Sequence, residues 1–260
     1  MLELNKIYLM DCLEGIKLLD DEIIDLIIID PPYLVTNEKW DKVEVVNELL
    51  SKELFRIAKN NCSLYVWCGI GEKSQSLIRW FPIFSKNWYF KDLITWKKQR
   101  GIGMRKGWLY TREEIMWFVK DNKLFIWNQE FQYGNEERVI KKYIFKDEKK
   151  KEYLNRLNPF KRISNVWTDI NEIGMGDGHN IHSGAIKKNS NLHFTSKPLK
   201  ALERIIKLHT KENDLVFDCF MGSGSTALAA KNLNRNFIGI EIEQKYVDIT
   251  NKRLQESNPN

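Results

Sequence analysis

The sequence predicts an α/β fold, a doubly wound and mostly parallel sheet carrying an insertion, and three observations predict it. Continuous β-branched and aliphatic runs stop abruptly at acids or glycines, as strands buried on both faces do. Helical stretches alternate with those strands, which implies parallel pairing with helices on either side. Between residues 129 and 191 the rhythm fails, and the chain becomes polar, basic and rich in Asn and Gly.

The elements follow in order. Residues 7–10 form a short apolar strand ending at Asp11, and residues 25–29 form a buried strand that stops at Asp30-Pro31-Pro32. A helix is expected over about 43–58, then a strand over 63–68 and two more over 92–96 and 114–119. Beyond the insertion, Lys197-Pro198 opens a helix through Leu199, Leu202, Ile205 and Ile206, with proline where the first turn tolerates it. Residues 215–218 read as a strand, Gly222-Ser223-Gly224 as a turn, 226–233 as a helix, 237–242 as a strand and 246–254 as a final helix. The expected organisation is one domain in two parts, 1–128 and 192–260, around an insertion over 129–191 that stands outside the sheet.

Composition narrows the classes. The chain has 260 residues, 43% of them hydrophobic, enough to build a core, so disorder is not the default. Its four cysteines (Cys12, Cys62, Cys68 and Cys219) lie in or beside apolar runs without zinc-site spacing, which points to reduced thiols and no bound metal. The opening Met-Leu-Glu-Leu-Asn-Lys lacks a signal-peptide profile, and no apolar run approaches the ~20 residues of a membrane span. A cytoplasmic protein is expected. Net charge is +6, and residues 141–162 carry nine Lys or Arg against three acids, an excess equal to that of the whole chain. A second run, residues 97–106, holds five basic residues and no acid. Two such patches point to a polyanion partner.

Two constellations carry chemistry. The first is Asp30-Pro31-Pro32-Tyr33 at the end of the second strand, where open α/β sheets bind ligands. Neither proline has an N–H, so a carboxylate and backbone carbonyls gather as acceptors on a stiff backbone. Such a set suits a group with two hydrogens to donate, an aromatic amine above all, and Tyr33 offers a flat face for a planar heterocycle. The second is Asp218-Cys219-Phe220-Met221-Gly222-Ser223-Gly224-Ser225-Thr226, a strand–turn–helix junction of the nucleotide-binding kind. The following strand ends at Glu241, an acid placed to grip ribose hydroxyls. It is neither a P-loop nor a dinucleotide fingerprint, so it describes an adenosine pocket that asks for no pyrophosphate.

Together DPPY, DCFMGSGST and FIGIE resemble the S-adenosylmethionine-dependent DNA amino-methyltransferases that modify adenine N6 or cytosine N4. The order, catalytic tetrapeptide first and cofactor turn last, is similar to that of the family's beta group. The resemblance implies a Rossmann-like methyltransferase sheet, mostly parallel with one antiparallel strand, and assigns target recognition to the insertion. It implies catalysis by Asp30, Pro31, Pro32 and Tyr33. Cofactor contacts would come from Asp11, Cys12, Asp30, Thr195, Lys197, Asp218, Phe220, Gly222, Gly224, Ser225, Thr226 and Glu241. Thr195 and Lys197 lie in His193-Phe194-Thr195-Ser196-Lys197-Pro198, similar to the family's HPTxKP element with Phe194 replacing proline, and are the implied contacts to the methionine carboxylate. Lys97, Arg100, Arg105, Lys106, Lys141, Lys142, Lys161 and Arg162 would hold phosphates of double-stranded DNA. A homodimer and a companion restriction endonuclease are further partners within this reading.

Three rivals stand beside an adenine-N6 enzyme, one of them a protein-glutamine or RNA methyltransferase, which usually reads Asn-Pro-Pro-Tyr placed after the cofactor motif. Cytosine-N4 enzymes of the same family more often carry serine at the position of Asp30. An NAD-dependent oxidoreductase would share the glycine turn and Glu241, but it leaves DPPY and both basic stretches unexplained.

Overall fold

The computed structural model describes residues 2–102, 108–137, 160–171 and 196–257, the side chains of 99–102 and 135–137 excepted. Strands β1 (Lys6–Leu9), β2 (Ile24–Ile29), β3 (Ala58–Cys68), β4 (Tyr89–Ile102), β5 (Tyr110–Val119), β8 (Val166–Trp167), β9 (Leu215–Asp218) and β10 (Asn236–Glu241) form one sheet in the order β1-β10-β9-β2-β3-β5-β4-β8. Among the described residues β5 alone runs against the rest of that sheet, pairing antiparallel with β3 on one side and β4 on the other. Strands β6 (Tyr133–Glu137) and β7 (Phe160–Arg162) make a separate antiparallel pair.

The helices are α1 (Cys12–Lys17), α2 (Glu48–Ile57), α3 (Ser76–Phe84), α4 (Leu199–His209), α5 (Ser225–Asn232) and α6 (Gln244–Glu256). Strand alternation divides the core in two. Ile27, Ile29, Leu64, Val66 and Cys68 pack with Ile16, Leu50, Leu54, Trp80 and Phe84 on one face. Leu26, Ile28, Tyr65, Trp67, Ile115 and Trp117 pack with Leu202, Ile205, Ile206 and Ala227 on the other.

Three expectations are corrected. The second helix begins at Glu48 rather than near 43, because Asn47 caps it by accepting from Leu50 N at 2.9 Å. Strand β3 begins directly after that helix, at Ala58 instead of 63. Part of the 129–191 stretch does join the sheet: Thr95 and Trp96 pair with Val166 and Trp167, and the Trp96 indole donates to Ile170 O at 2.9 Å. Burial of Trp167 and Ile170 against the second core face anchors this two-residue edge.

His209 closes the lower part of that face. Its Nδ1 lies 2.7 Å from Ile126 O, an acceptor, so Nδ1 carries the proton and Nε2 accepts from Tyr65 Oη at 2.6 Å. Burial lowers its pKa from 6.5 to about 4. The unfolded chain therefore binds a proton that the folded one rejects between those values. The contribution is complete above pH 6.5 and is lost as pH falls to 4, about 3 kcal/mol in all. Urea midpoints measured at pH 7 and 4.5 should drop in the parent and drop less in His209→Asn. An unchanged pH slope in the variant would assign the effect to other groups.

Candidate active site

Four neighbouring strands bring acids to one edge of the sheet. Leu9 of β1 pairs with Glu241 of β10, so Asp11 lies just past that pair. Gly239 pairs with Asp218 of β9, and Ile27 of β2 pairs with Phe217, which sets Asp30 beyond Asp218. Asp11, Glu241, Asp218 and Asp30 thus line adjacent carboxyl ends, where an open α/β sheet forms its crevice.

Asp30 continues the even-numbered face of β2, the face of Leu26 and Ile28. The same parity puts Trp67 of β3, Glu113 of β5 and Lys98 of β4 on that side. Lys197, at the entry to α4, reaches into the group. Its ammonium pairs with Asp30 Oδ2 and stands 3.7 Å from Glu113 Oε2, while Lys98 pairs with Glu113 Oε1. It also lies 5.6 Å from the centre of the Tyr33 ring and 5.2 Å from that of Trp67. Burial raises the Asp30 pKa against the pull of Lys197. Burial acts the same way on Glu113, yet Lys197 and Lys98 outweigh it and hold that acid below its usual value. Lys197 is raised because Asp30 and Glu113 overcome the cost of burying its charge. Asp30 Oδ1 is buried and has no hydrogen-bond partner.

The tetrapeptide loop is held from below. Asp41, 1% exposed, accepts from the backbone N–H of Leu34, Val35 and Thr36, at 2.8, 2.8 and 2.5 Å. That clasp supports Leu34 at φ +64°. The Tyr33 ring meets the Trp80 edge at 5.8 Å, and Trp80 Nε1 donates to Glu44 at 3.1 Å.

The glycine turn is braced by its own side chains. Asp218 accepts from Phe220 N at 2.9 Å and from Thr226 Oγ1 at 2.7 Å, and burial raises its pKa to about 7. Glu241 accepts from Gly222 N at 2.7 Å and Glu243 N at 2.9 Å. Gly222 and Gly224 both have positive φ, +53° and +80°. A Cβ on Gly224 would fall inside the Thr250 side chain. Ser196 Oγ and Ser223 Oγ are 2.6 Å apart, tying the entry of α4 to the turn.

The profile of the N6/N4 methyltransferase family, described as DNA methylase, matches residues 24–252. The chain belongs to the N6/N4 DNA methylase family. It is 31% identical to the Type II methyltransferase M1.MboII of Moraxella bovis over 96% of both chains. It is 32% identical to M.HinfI of Haemophilus influenzae over 99% of this chain and 70% of that one. Among solved structures, the M1.HpyAVI–SAM complex superposes with a TM-score of 0.60 at 26% identity, covering 95% of this chain and 98% of that one. The PvuII cytosine-N4-specific DNA methyltransferase, at TM-score 0.68 and 16% identity over 98% and 87%, shares the fold.

Within this DNA methylase the site residues named from sequence divide three ways. Asp30, Tyr33, Lys197, Asp218, Phe220, Gly222, Gly224, Ser225, Thr226 and Glu241 converge at the strand ends with Pro31 and Pro32. Several of them are engaged with the protein itself: Thr226 with Asp218, and Ser225 within 3.5 Å of Arg253. Asp11 is a helix cap, accepting from Leu13 N at 2.8 Å and Glu14 N at 3.3 Å, and Cys12 opens that helix, buried. Lys197 meets Asp30. Lys97, Lys161 and Arg162 are exposed. Thr195, Arg105, Lys106, Lys141 and Lys142 lie outside the described residues, as does the Arg100 side chain. Sequence reasoning missed Glu113, Lys98 and Trp67 as site residues, and the signal that finds them is strand parity with Asp30.

Proposed function

We propose that this DNA methylase transfers a methyl group from S-adenosylmethionine to the exocyclic N6 amine of an adenine turned out of duplex DNA. The observation that carries the reading is Asp30 Oδ1, a buried acceptor without a partner at the mouth of the strand-end crevice. The aspartate at the head of the tetrapeptide supports adenine over cytosine as the target.

The methyl donor is S-adenosylmethionine, whose sulfonium supplies a methyl group already activated for transfer. Asp11, Cys12, Asp30, Thr195, Lys197, Asp218, Phe220, Gly222, Gly224, Ser225, Thr226 and Glu241 would hold it. The strand-end acids fit such a group, and the two positive-φ glycines let the turn bend tightly beside those carboxylates. Asp30 and the Pro31 carbonyl accept the two hydrogens of the target amine. The nitrogen lone pair, otherwise shared with the ring, is then directed at the methyl group. Asp30 orients the amine and then takes the proton released once the nitrogen is methylated. Most of the acceleration comes from orientation and fixed electrostatics. Tyr33 stacks on the extruded base, whose removal from the duplex costs a few kcal/mol.

The basic stretches 97–106 and 141–162 hold phosphates. Residues 129–191 carry target recognition, and 1–128 and 192–260 carry catalysis and cofactor. The resemblance to Type II methyltransferases supports a place in a cytoplasmic restriction–modification pair, with a companion endonuclease, and a second copy of the chain as partner. Digested DNA methylated with labelled cofactor should release labelled N6-methyladenine. N4-methylcytosine would move the target, and no label at all would sink the reading. Reversing Arg100, Arg105 and Lys106 to glutamate should weaken duplex binding and lower the log–log salt slope by roughly three. Cofactor affinity should persist. Parental duplex affinity at moderate salt would remove these residues from the interface.

A further inference from the structure

Among the described residues, the buried side-chain polar atoms without a hydrogen-bond partner are Asp30 Oδ1, Tyr33 Oη, Trp67 Nε1 and Glu113 Oε2. Native proteins leave few such atoms, and each asks for a reason. These four residues all surround Lys197: its ammonium pairs with Asp30, stands 3.7 Å from Glu113 Oε2, and lies over the Tyr33 and Trp67 rings at 5.6 and 5.2 Å. Asp30 and Tyr33 belong to the tetrapeptide. Glu113 belongs to no motif.

Its position is informative. A second carboxylate beside Asp30 repels it, so Glu113 would be a poor choice if the cluster served only to neutralise Asp30. Glu113 instead sits on the interior strand β5, anchored at Oε1 by Lys98, with Oε2 facing Lys197. Lysine is a point charge on a flexible four-carbon stem, and one carboxylate partner leaves that stem considerable freedom. A second partner on a rigid strand fixes it. Two acids and two bases also leave the group electrically balanced, as buried charges require.

We infer that Glu113 is a positioning residue for methyl transfer: from β5 it holds the Lys197 ammonium on Oδ2 of Asp30, and Oδ1 stays available to the target amine. The inference rests on Asp30 being the acceptor for that amine. Glu113→Gln keeps the shape and removes the charge. At saturating cofactor its single-turnover rate should fall roughly 10- to 100-fold, the scale of a displaced catalytic group. KM for DNA should change little, cofactor affinity should fall less than it does in Lys197→Met, and Glu113→Asp should recover part of the rate. Lys197→Met should also be slow, and adding Glu113→Gln to it should cost nothing further, because no ammonium remains to be held.

A parental rate in Glu113→Gln would overturn the inference, and so would full, independent losses from the two substitutions in the double variant. Should Glu113→Gln fail to fold by circular dichroism, Glu113→Asp alone and combined with Lys197→Met gives the same comparison. Asp30→Ala separates the two levels. If Asp30→Ala is inactive while Glu113→Gln is parental, Glu113 alone loses its role; if Asp30→Ala keeps full activity, the reading of Asp30 falls as well.

Discussion

Asp30→Ala should transfer methyl groups roughly 10²- to 10³-fold more slowly than the parent, the loss expected when one preorganised electrostatic contact to the reacting group is removed. The argument rests on Oδ1, which is buried without a well-formed hydrogen bond, while Oδ2 is held by Lys197 and the Tyr33 hydroxyl stabilises the carboxylate from nearby. Alanine removes both and leaves the Lys197 ammonium with Glu113 alone. Breaking a buried ion pair from one side costs about 3–5 kcal/mol when burial is complete. The Asp30 side chain is 25% exposed, so the lower end is expected. Thermal melts must therefore accompany the rate measurements. Asp30→Asn separates chemistry from stability, since it keeps the volume but presents an amide N–H₂ where an acceptor is required. It should be nearly as slow as alanine and more stable. Rapid single-turnover transfer by a folded Asp30→Asn protein would show that the carboxylate is dispensable.

The second large effect is expected at Gly224. At φ +80° any L residue is strained, by about 1–2 kcal/mol, and a Cβ would collide with Thr250. Thr250 cannot withdraw easily: it is buried, and its hydroxyl donates to Gly222 O at 3.0 Å. Overpacking of this kind adds about 1–3 kcal/mol, so Gly224→Ala should lose about 2–5 kcal/mol of stability. Cofactor affinity should fall at least about tenfold, because 1.4 kcal/mol of distortion at the turn already suffices for that. Gly222→Ala supplies the contrast. Its φ is +53°, but its Cβ would meet only Phe220 O, at 3.9 Å. Calorimetric titration and urea unfolding of both variants test the ranking, and equal losses would show that backbone strain, not the Thr250 contact, governs the turn.

What the sequence revealed followed the strength of local signals. Residues 25–29 and 215–218 were legible as strands because both faces are buried and the apolar run is continuous. The junction at Asp218 was legible because glycines at positive φ have few substitutes. Helix α3 was not, since Pro82 interrupts an otherwise amphipathic pattern that buries Trp80 and Phe84. Strand β8, two residues long, carries no period to detect. Glu113 was hidden for a different reason. In Arg112-Glu113-Glu114 it reads as the polar approach to an apolar strand, and its meaning appears only once β5 is known to lie one strand beyond β3. Lys197 was assigned from motif resemblance to a cofactor contact. Its pairing with Asp30 depends on α4 packing over the same sheet face, which no local pattern encodes.

The brace behind the glycine turn comes from helix α6, near residue 257, through Thr250 and through Arg253, which donates to Ser223 O and approaches Ser223 Oγ at 3.2 Å. Lys231 fastens the far end of the same helix by donating to Leu254 O and Ser257 O at 2.6 and 2.9 Å. Any load placed on the chain just behind Ser257 would therefore pull on the clasp that shapes the glycine turn.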